Sequence, residues 1–92
     1  MTLQDCIALC DLTEAEVDAV AEHEHVPEML AAEMANYIIH SPDGVPKMRR
    51  IIEDDIQAAV ARGDLAHAAQ LLAVLRHFIE THPDERGAAA RG

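Results

Sequence analysis

Apolar residues recur every three or four positions along most of the chain, which is the period of an α-helix. No stretch alternates apolar and polar residues convincingly over the length of a β-strand. The sequence therefore predicts an all-α fold. The segments with helical spacing are residues 2–10, 13–24, 27–40 and 65–81, and a segment that begins at Pro46 and stops at Gly63.

Capping and helix-breaking residues set the expected ends of these helices. Thr13-x-x-Glu16 is a capping box, in which each side chain accepts a hydrogen bond from a backbone N–H of the other residue. Pro27 disfavours helical angles at the residue before it, so we expect a kink or a new helix there. The segment from Ser41 to Gly44 predicts a turn, with Gly44 supplying a positive φ angle.

The last two helices are expected to form a hairpin. Pro46 is suited to the first turn of a helix. Gly63 is a natural left-handed stop for that helix, and Asp64 is a natural cap for the next one. The second helix of the hairpin is expected to end at about Thr81.

The whole chain is expected to form a small bundle of four to five helices. It comprises a short N-terminal helix, a long helix broken at Pro27 and the C-terminal hairpin. Residues 1–82 would be a single domain, and residues 83–92 a disordered tail without large apolar side chains. The apolar face of the last helix is wider than one neighbour covers, which favours completion of the bundle by a homodimer.

Charge narrows the range of partners. The chain has 17 acidic residues against 7 Lys and Arg, a formal net charge of −10. This composition argues against binding to nucleic acid or to anionic lipid. No apolar run approaches the roughly 20 residues of a membrane span. Two cysteines and an N-terminus without the features of a secretion signal favour the cytoplasm.

Acidic and histidine side chains are concentrated between residues 21 and 28. On a helical wheel Glu24 lies about 20° from Val17, inside the apolar stripe. Asp55 lies about 20° from Met48 on a later helix, also on the apolar side. Two helices are thus predicted to turn a carboxylate inward, which is costly unless the carboxylate is paired or bound to a metal ion. By contrast, His23 is expected to point away from the core, and His67 to lie at the surface.

These residues suggest a metal site between helices. Carboxylate oxygen and imidazole nitrogen are ligands for Fe, Mn or Zn. The spacing Glu22-x-x-His25 resembles the ligand motif of ferritin-like proteins, a likeness over four residues that implies metal binding between bundled helices. The candidate ligands are Glu22, Glu24, His25, Glu28 and Asp55.

The alternative is structural pairing, in which the acids near the helix break at Pro27 meet Arg49 or Arg50. Asp55 would then meet an Arg of a partner chain. The sequence contains no phosphate-binding glycine loop, no nucleophile elbow and no zinc-ribbon cysteine pairs. No catalytic residue or organic cofactor is therefore predicted. The favoured function is a small acidic interaction module, homodimeric and docking to a protein partner. The alternative function is a carboxylate/histidine metal-binding protein.

Overall fold

The structure is a computed structural model that describes residues 12–82. Over these residues the protein folds into four α-helices. The helices are α1 (Glu14–Glu24), α2 (Glu28–Ile39), α3 (Gly44–Ala61) and α4 (Leu65–Thr81). Residues 12–82 contain no β-strand, so the all-α prediction is confirmed there. The predicted N-terminal helix and the predicted disordered tail lie outside the described residues.

The capping box begins α1 as expected. Thr13 Oγ1 accepts a hydrogen bond from the Glu16 N–H at 3.2 Å, and Glu16 Oε1 accepts from the Thr13 N–H at 2.8 Å. Two of the N–H groups that a helix start leaves without partners are thereby satisfied. Leu12, just before the cap, is buried in the core.

The break near Pro27 separates two helices rather than kinking one. His25 has a φ of 56° and a ψ of 47°, a left-handed conformation that ends α1. Pro27 is extended, with a φ of −61° and a ψ of 153°, and it immediately precedes α2. Because proline lacks an N–H and disfavours a helical residue before it, α1 cannot continue into α2.

The turn before α3 corrects one expectation. Among the described residues the only glycine with a positive φ is Gly63, at 78°, so Gly44 does not supply the predicted positive angle. Gly44 instead begins α3, two residues before Pro46. A Cβ atom built on Gly44 would lie 1.9 Å from the Ile38 carbonyl oxygen. Glycine is thus required because two backbone segments approach closely, and not because of its φ angle.

The predicted hairpin of α3 and α4 is present. Gly63 adopts its left-handed conformation between the two helices, and Asp64 Oδ1 accepts from the His67 N–H at 3.1 Å. Of all helix pairs, α3 and α4 make the most extensive contact.

The core lies where this hairpin meets a second hairpin, formed by α1 and α2. Helix α1 packs against α2 and α3, and makes a smaller contact with α4. Within the described residues, no helix has the length and apolarity needed to cross a membrane. The largest fully buried apolar side chains are Val17, Val20, Met48, Ile52 and Phe78.

Candidate functional site

The two carboxylates that were predicted to face inward behave differently. Asp55, on α3, is buried with 3% of its surface exposed, as its wheel position predicts. Glu24 is exposed, so the prediction that it faces the core is wrong. Glu24 is the last residue of α1 and the left-handed His25 follows it, so the regular helix assumed by the wheel ends at this position.

A hydrogen bond joins α1 to α4 beside Asp55. The His67 imidazole donates from Nε2 to Glu22 Oε1, with 2.5 Å between the two atoms. Both side chains are about one-third exposed. This hydrogen bond raises the pKa of His67, since it stabilises the protonated ring. His67 therefore has a partner on another helix, which the sequence did not indicate.

A second polar contact joins α1 to α3. His23 Nε2 lies 3.2 Å from Asp54 Oδ2, and His23 Nδ1 lies 3.5 Å from Glu24 Oε2. The side chain of His23 is 28% exposed, and its Nδ1 atom is buried without a hydrogen bond. His23 thus lies between helices, contrary to the expectation that it points away from the core.

Together these groups form a polar cluster where α1, α3 and α4 meet, which we call the seam: Glu22, His23, Asp54, Asp55 and His67. Burial raises the pKa of Asp55 to about 7, and repulsion from Glu22 adds to the shift. His23 and His67 act in the opposite direction. The Oδ2 atom of Asp55 is buried and has no hydrogen-bond partner. The seam therefore holds a buried carboxyl group that is only partly compensated.

Glu28 belongs to a different group of residues, which we call the acidic cluster. It lies beside Glu14 and Asp18, and one carboxylate oxygen from each of the three lies within 4.8 Å of the others. A hydrogen bond with Asp18, followed by desolvation and the charges of Asp18 and Glu14, raises the pKa of Glu28 to about 7. Glu14 and Asp18 are exposed and Glu28 is half-buried, so the carboxylates can share a proton in contact with solvent.

The five predicted ligands are thus divided among different places. Glu22 and Asp55 belong to the seam, Glu28 belongs to the acidic cluster, and Glu24 and His25 are exposed. Over residues 12–82, the acidic cluster is the one set of three ligand atoms within 4.8 Å of one another. Metal binding by the predicted ligands stays a prediction.

Two of the cavities beside the seam lie between helices. One, of about 230 Å³, lies between α1 and α4 and is lined by Glu22, His67 and Leu71. The other, of about 460 Å³, lies between the end of α1 and the start of α3, with His23 and Arg50 in its wall. The seam is therefore accessible from solvent on two sides, although Asp55 itself is buried.

Three large apolar side chains of α4 are exposed. Leu65, Leu72 and Ile79 are 67%, 50% and 42% exposed, and they occur at intervals of seven residues. Seven residues are close to two turns of helix, so the three side chains share one face. We call these three residues the α4 stripe. Leu30 and Tyr37 are exposed apolar residues on α2, also seven residues apart.

No protein-family model, curated protein or solved structure matches this chain. Two features of the described residues have chemical consequences. The α4 stripe exposes large apolar side chains, and the seam holds a buried carboxyl group whose charge two histidines partly compensate.

Proposed function

We propose that this protein is a small acidic interaction module that pairs with a second copy of itself through the α4 stripe. The observation that carries this proposal is the exposure of Leu65, Leu72 and Ile79 along one face of α4. A row of large apolar side chains on an outer helix face is typical of a surface that another protein covers. The paired unit can then present its remaining surfaces to a further protein partner.

A second copy is favoured by the spacing of the stripe. Leu72 lies seven residues from both Leu65 and Ile79, so the row is symmetric about it. Two α4 helices running antiparallel, with a two-fold axis at Leu72, would place Leu65 of each copy opposite Ile79 of the other. Such a self-complementary patch is what a two-fold dimer requires.

The distribution of charge also favours a second copy of the chain as the partner of the α4 stripe. Apart from two histidines, helix α4 contains one acidic and one basic residue, Glu80 and Arg76, whereas the chain has a net charge of −10. By comparison, α1 contains five acidic residues in eleven positions. Two copies that meet through α4 therefore avoid most of the repulsion that like-charged surfaces would produce.

The proposed interface is small. A helix of 17 residues is about 26 Å long, and one face of that length is at the low end for specific interfaces. We therefore expect a dimer that dissociates in the micromolar range. Formation of the dimer should be visible as an average molecular mass that rises with protein concentration.

Sedimentation velocity over a concentration series tests this proposal with two matched variants. Leu72→Glu places two carboxylates together at the proposed axis and should keep the protein monomeric at every concentration. Leu30→Glu changes a residue of similar exposure on α2, 45% against 50%, and should leave the dimer unchanged. A monomeric wild type, or equal effects of the two variants, would overturn the proposal.

A further inference from the structure

We propose that the outer face of α2 binds an amphipathic helical segment of a protein partner, a segment that carries Lys or Arg beside its apolar residues. This surface, which we call the α2 face, consists of Leu30, Glu33, Met34 and Tyr37. The inference rests on the proposed function of an interaction module, and it names the surface and the chemistry of the further partner. None of these four residues belongs to the α4 stripe.

The first argument is the apolar row on the α2 face. Leu30, Met34 and Tyr37 are spaced by four and three residues, so they lie within about 60° of one another around the helix. Leu30 and Tyr37 are 45% and 79% exposed, whereas Met34 is half-buried and packs against the core. Apolar residues at positions i, i+4 and i+7 are the pattern through which one amphipathic helix contacts another.

The residue types in this row also suit a partner. Tyrosine is among the residues that most often contribute binding energy at protein interfaces. Methionine is unbranched and polarizable, so it adapts its shape to the side chains that meet it. Met29, adjacent to Leu30, is a second half-buried methionine of α2. The α2 face therefore combines one large exposed anchor with adaptable neighbours.

The third argument is charge, which determines the kind of partner. Helix α1 contains five acidic residues and α2 contains two, and neither helix contains Lys or Arg. Glu33 is exposed within the α2 face itself. The acidic cluster lies where α1 and α2 meet, with three carboxylate oxygens within 4.8 Å of one another. A surface with this charge attracts a partner that carries Lys or Arg.

The same charge disfavours other occupants of the α2 face. A second copy would bring its own acidic helices to the contact, and like charges would then meet. An anionic lipid surface is repelled for the same reason. The α4 stripe, by contrast, lies on a helix with one acidic and one basic residue apart from its histidines, so it suits a second copy where the α2 face does not.

Fluorescence anisotropy with three labelled synthetic peptides and the full chain tests the inference. The first peptide is an amphipathic helix of Leu and Lys, about 14 residues or four turns long. The second has Glu in place of each Lys. The third has the composition of the first in an order without helical periodicity. We expect the first to bind with an affinity that falls as salt is added, and the others to bind at least about tenfold more weakly.

Variants of the chain locate the binding site. Tyr37→Ala removes the most exposed apolar side chain of the α2 face and should weaken binding of the first peptide by about tenfold or more. Glu33→Gln should weaken binding and reduce its dependence on salt. Val60→Ala is the matched control, because it truncates a 52% exposed apolar residue on α3, and it should keep the parental affinity. Circular dichroism verifies that each variant is folded.

Leu72→Glu separates this inference from pairing through α4. It changes the α4 stripe and leaves the α2 face intact, so it should bind the first peptide as the parent chain does even if the chain proves to be monomeric. The proposal is overturned if the first peptide does not bind, if the third binds as tightly, or if Tyr37→Ala and Val60→Ala have equal effects. It is also overturned if Tyr37→Ala abolishes dimer formation or binding to anionic vesicles, since a second copy or a lipid surface would then be the occupant.

Discussion

Asp55 combines deep burial with incomplete hydrogen bonding. It lies in the core with one oxygen unpaired, and acidic neighbours raise the cost of its charge. An unsatisfied buried polar atom costs about 1–3 kcal/mol. The protein is therefore less stable with Asp55 than it would be with a neutral residue of the same shape.

We predict that Asp55→Asn stabilises the protein at about pH 8 by about 1–3 kcal/mol in the presence of a chelator. The pKa of Asp55 is raised from 3.8 to about 7, so the folded chain holds a proton that the unfolded chain releases. The stabilising contribution of this proton is complete below about pH 4 and is lost as the pH rises to about 7.

Urea denaturation of the wild type and Asp55→Asn at several pH values measures this effect. The advantage of the variant should grow from acidic pH to about pH 8. Glu53→Gln, at an exposed acidic position on the same helix, serves as the control and should show little change. A variant that is less stable than the wild type at high pH would contradict the account of Asp55.

Sequence reasoning identified Asp55 and Glu22 as candidate residues but missed the two histidines of the seam. The wheel argument holds for Asp55 because it lies well inside α3, with further turns on either side. It fails for Glu24 because α1 ends there. It fails for His23 because α1 packs against more than one helix, so residues beside its apolar stripe also meet neighbours. His67 meets Glu22 across 45 residues of sequence, and no local pattern could indicate such a contact.

At the scale of secondary-structure elements, the two glycines with assigned roles act in different ways. Gly44 has no room for a side chain because the Ile38 carbonyl lies against it. Gly63 has a φ of 78°, and open space surrounds the position where its Cβ would lie. Glycine is thus required at position 44 because a backbone carbonyl approaches closely, and at position 63 because the residue is left-handed.

We predict that Gly44→Ala destabilises the protein by about 1–3 kcal/mol or more, because backbone must move to admit a methyl group. Gly63→Ala should cost about 1–2 kcal/mol, the strain of a left-handed alanine. Thermal denaturation of both variants gives the comparison. A Gly44→Ala protein that is as stable as the wild type would show that the turn before α3 adapts freely.

The helices themselves were largely predictable, because their signals are local. The capping box at Thr13, the proline at position 27 and the Gly63–Asp64 pair each act within one turn of helix. The mistaken reason given for Gly44 shows the limit of such signals. The constraint there comes from Ile38, six residues earlier, and appears only once the backbone has folded back on itself.

At the scale of the whole molecule, charge and apolar area are distributed unequally. Acidic residues are concentrated on α1, whereas α4 is nearly uncharged and carries three large exposed apolar side chains. The sequence predicted a wide apolar face on the last helix. It could not show which part of that face the other helices leave exposed, since this depends on how the two hairpins meet.

The central claim is that α4 pairs with α4 of a second copy about Leu72, and cross-linking at that position tests it most directly. In a chain with Cys6→Ser and Cys10→Ser, Leu72→Cys would place two thiols at the axis, within the roughly 4.4–6.8 Å Cα separation that a disulfide accepts. We predict that mild oxidation gives mainly a covalent dimer, whereas Leu30→Cys on the same background stays monomeric. If Leu72→Cys stays monomeric, or if both variants cross-link equally, the proposed pairing is wrong.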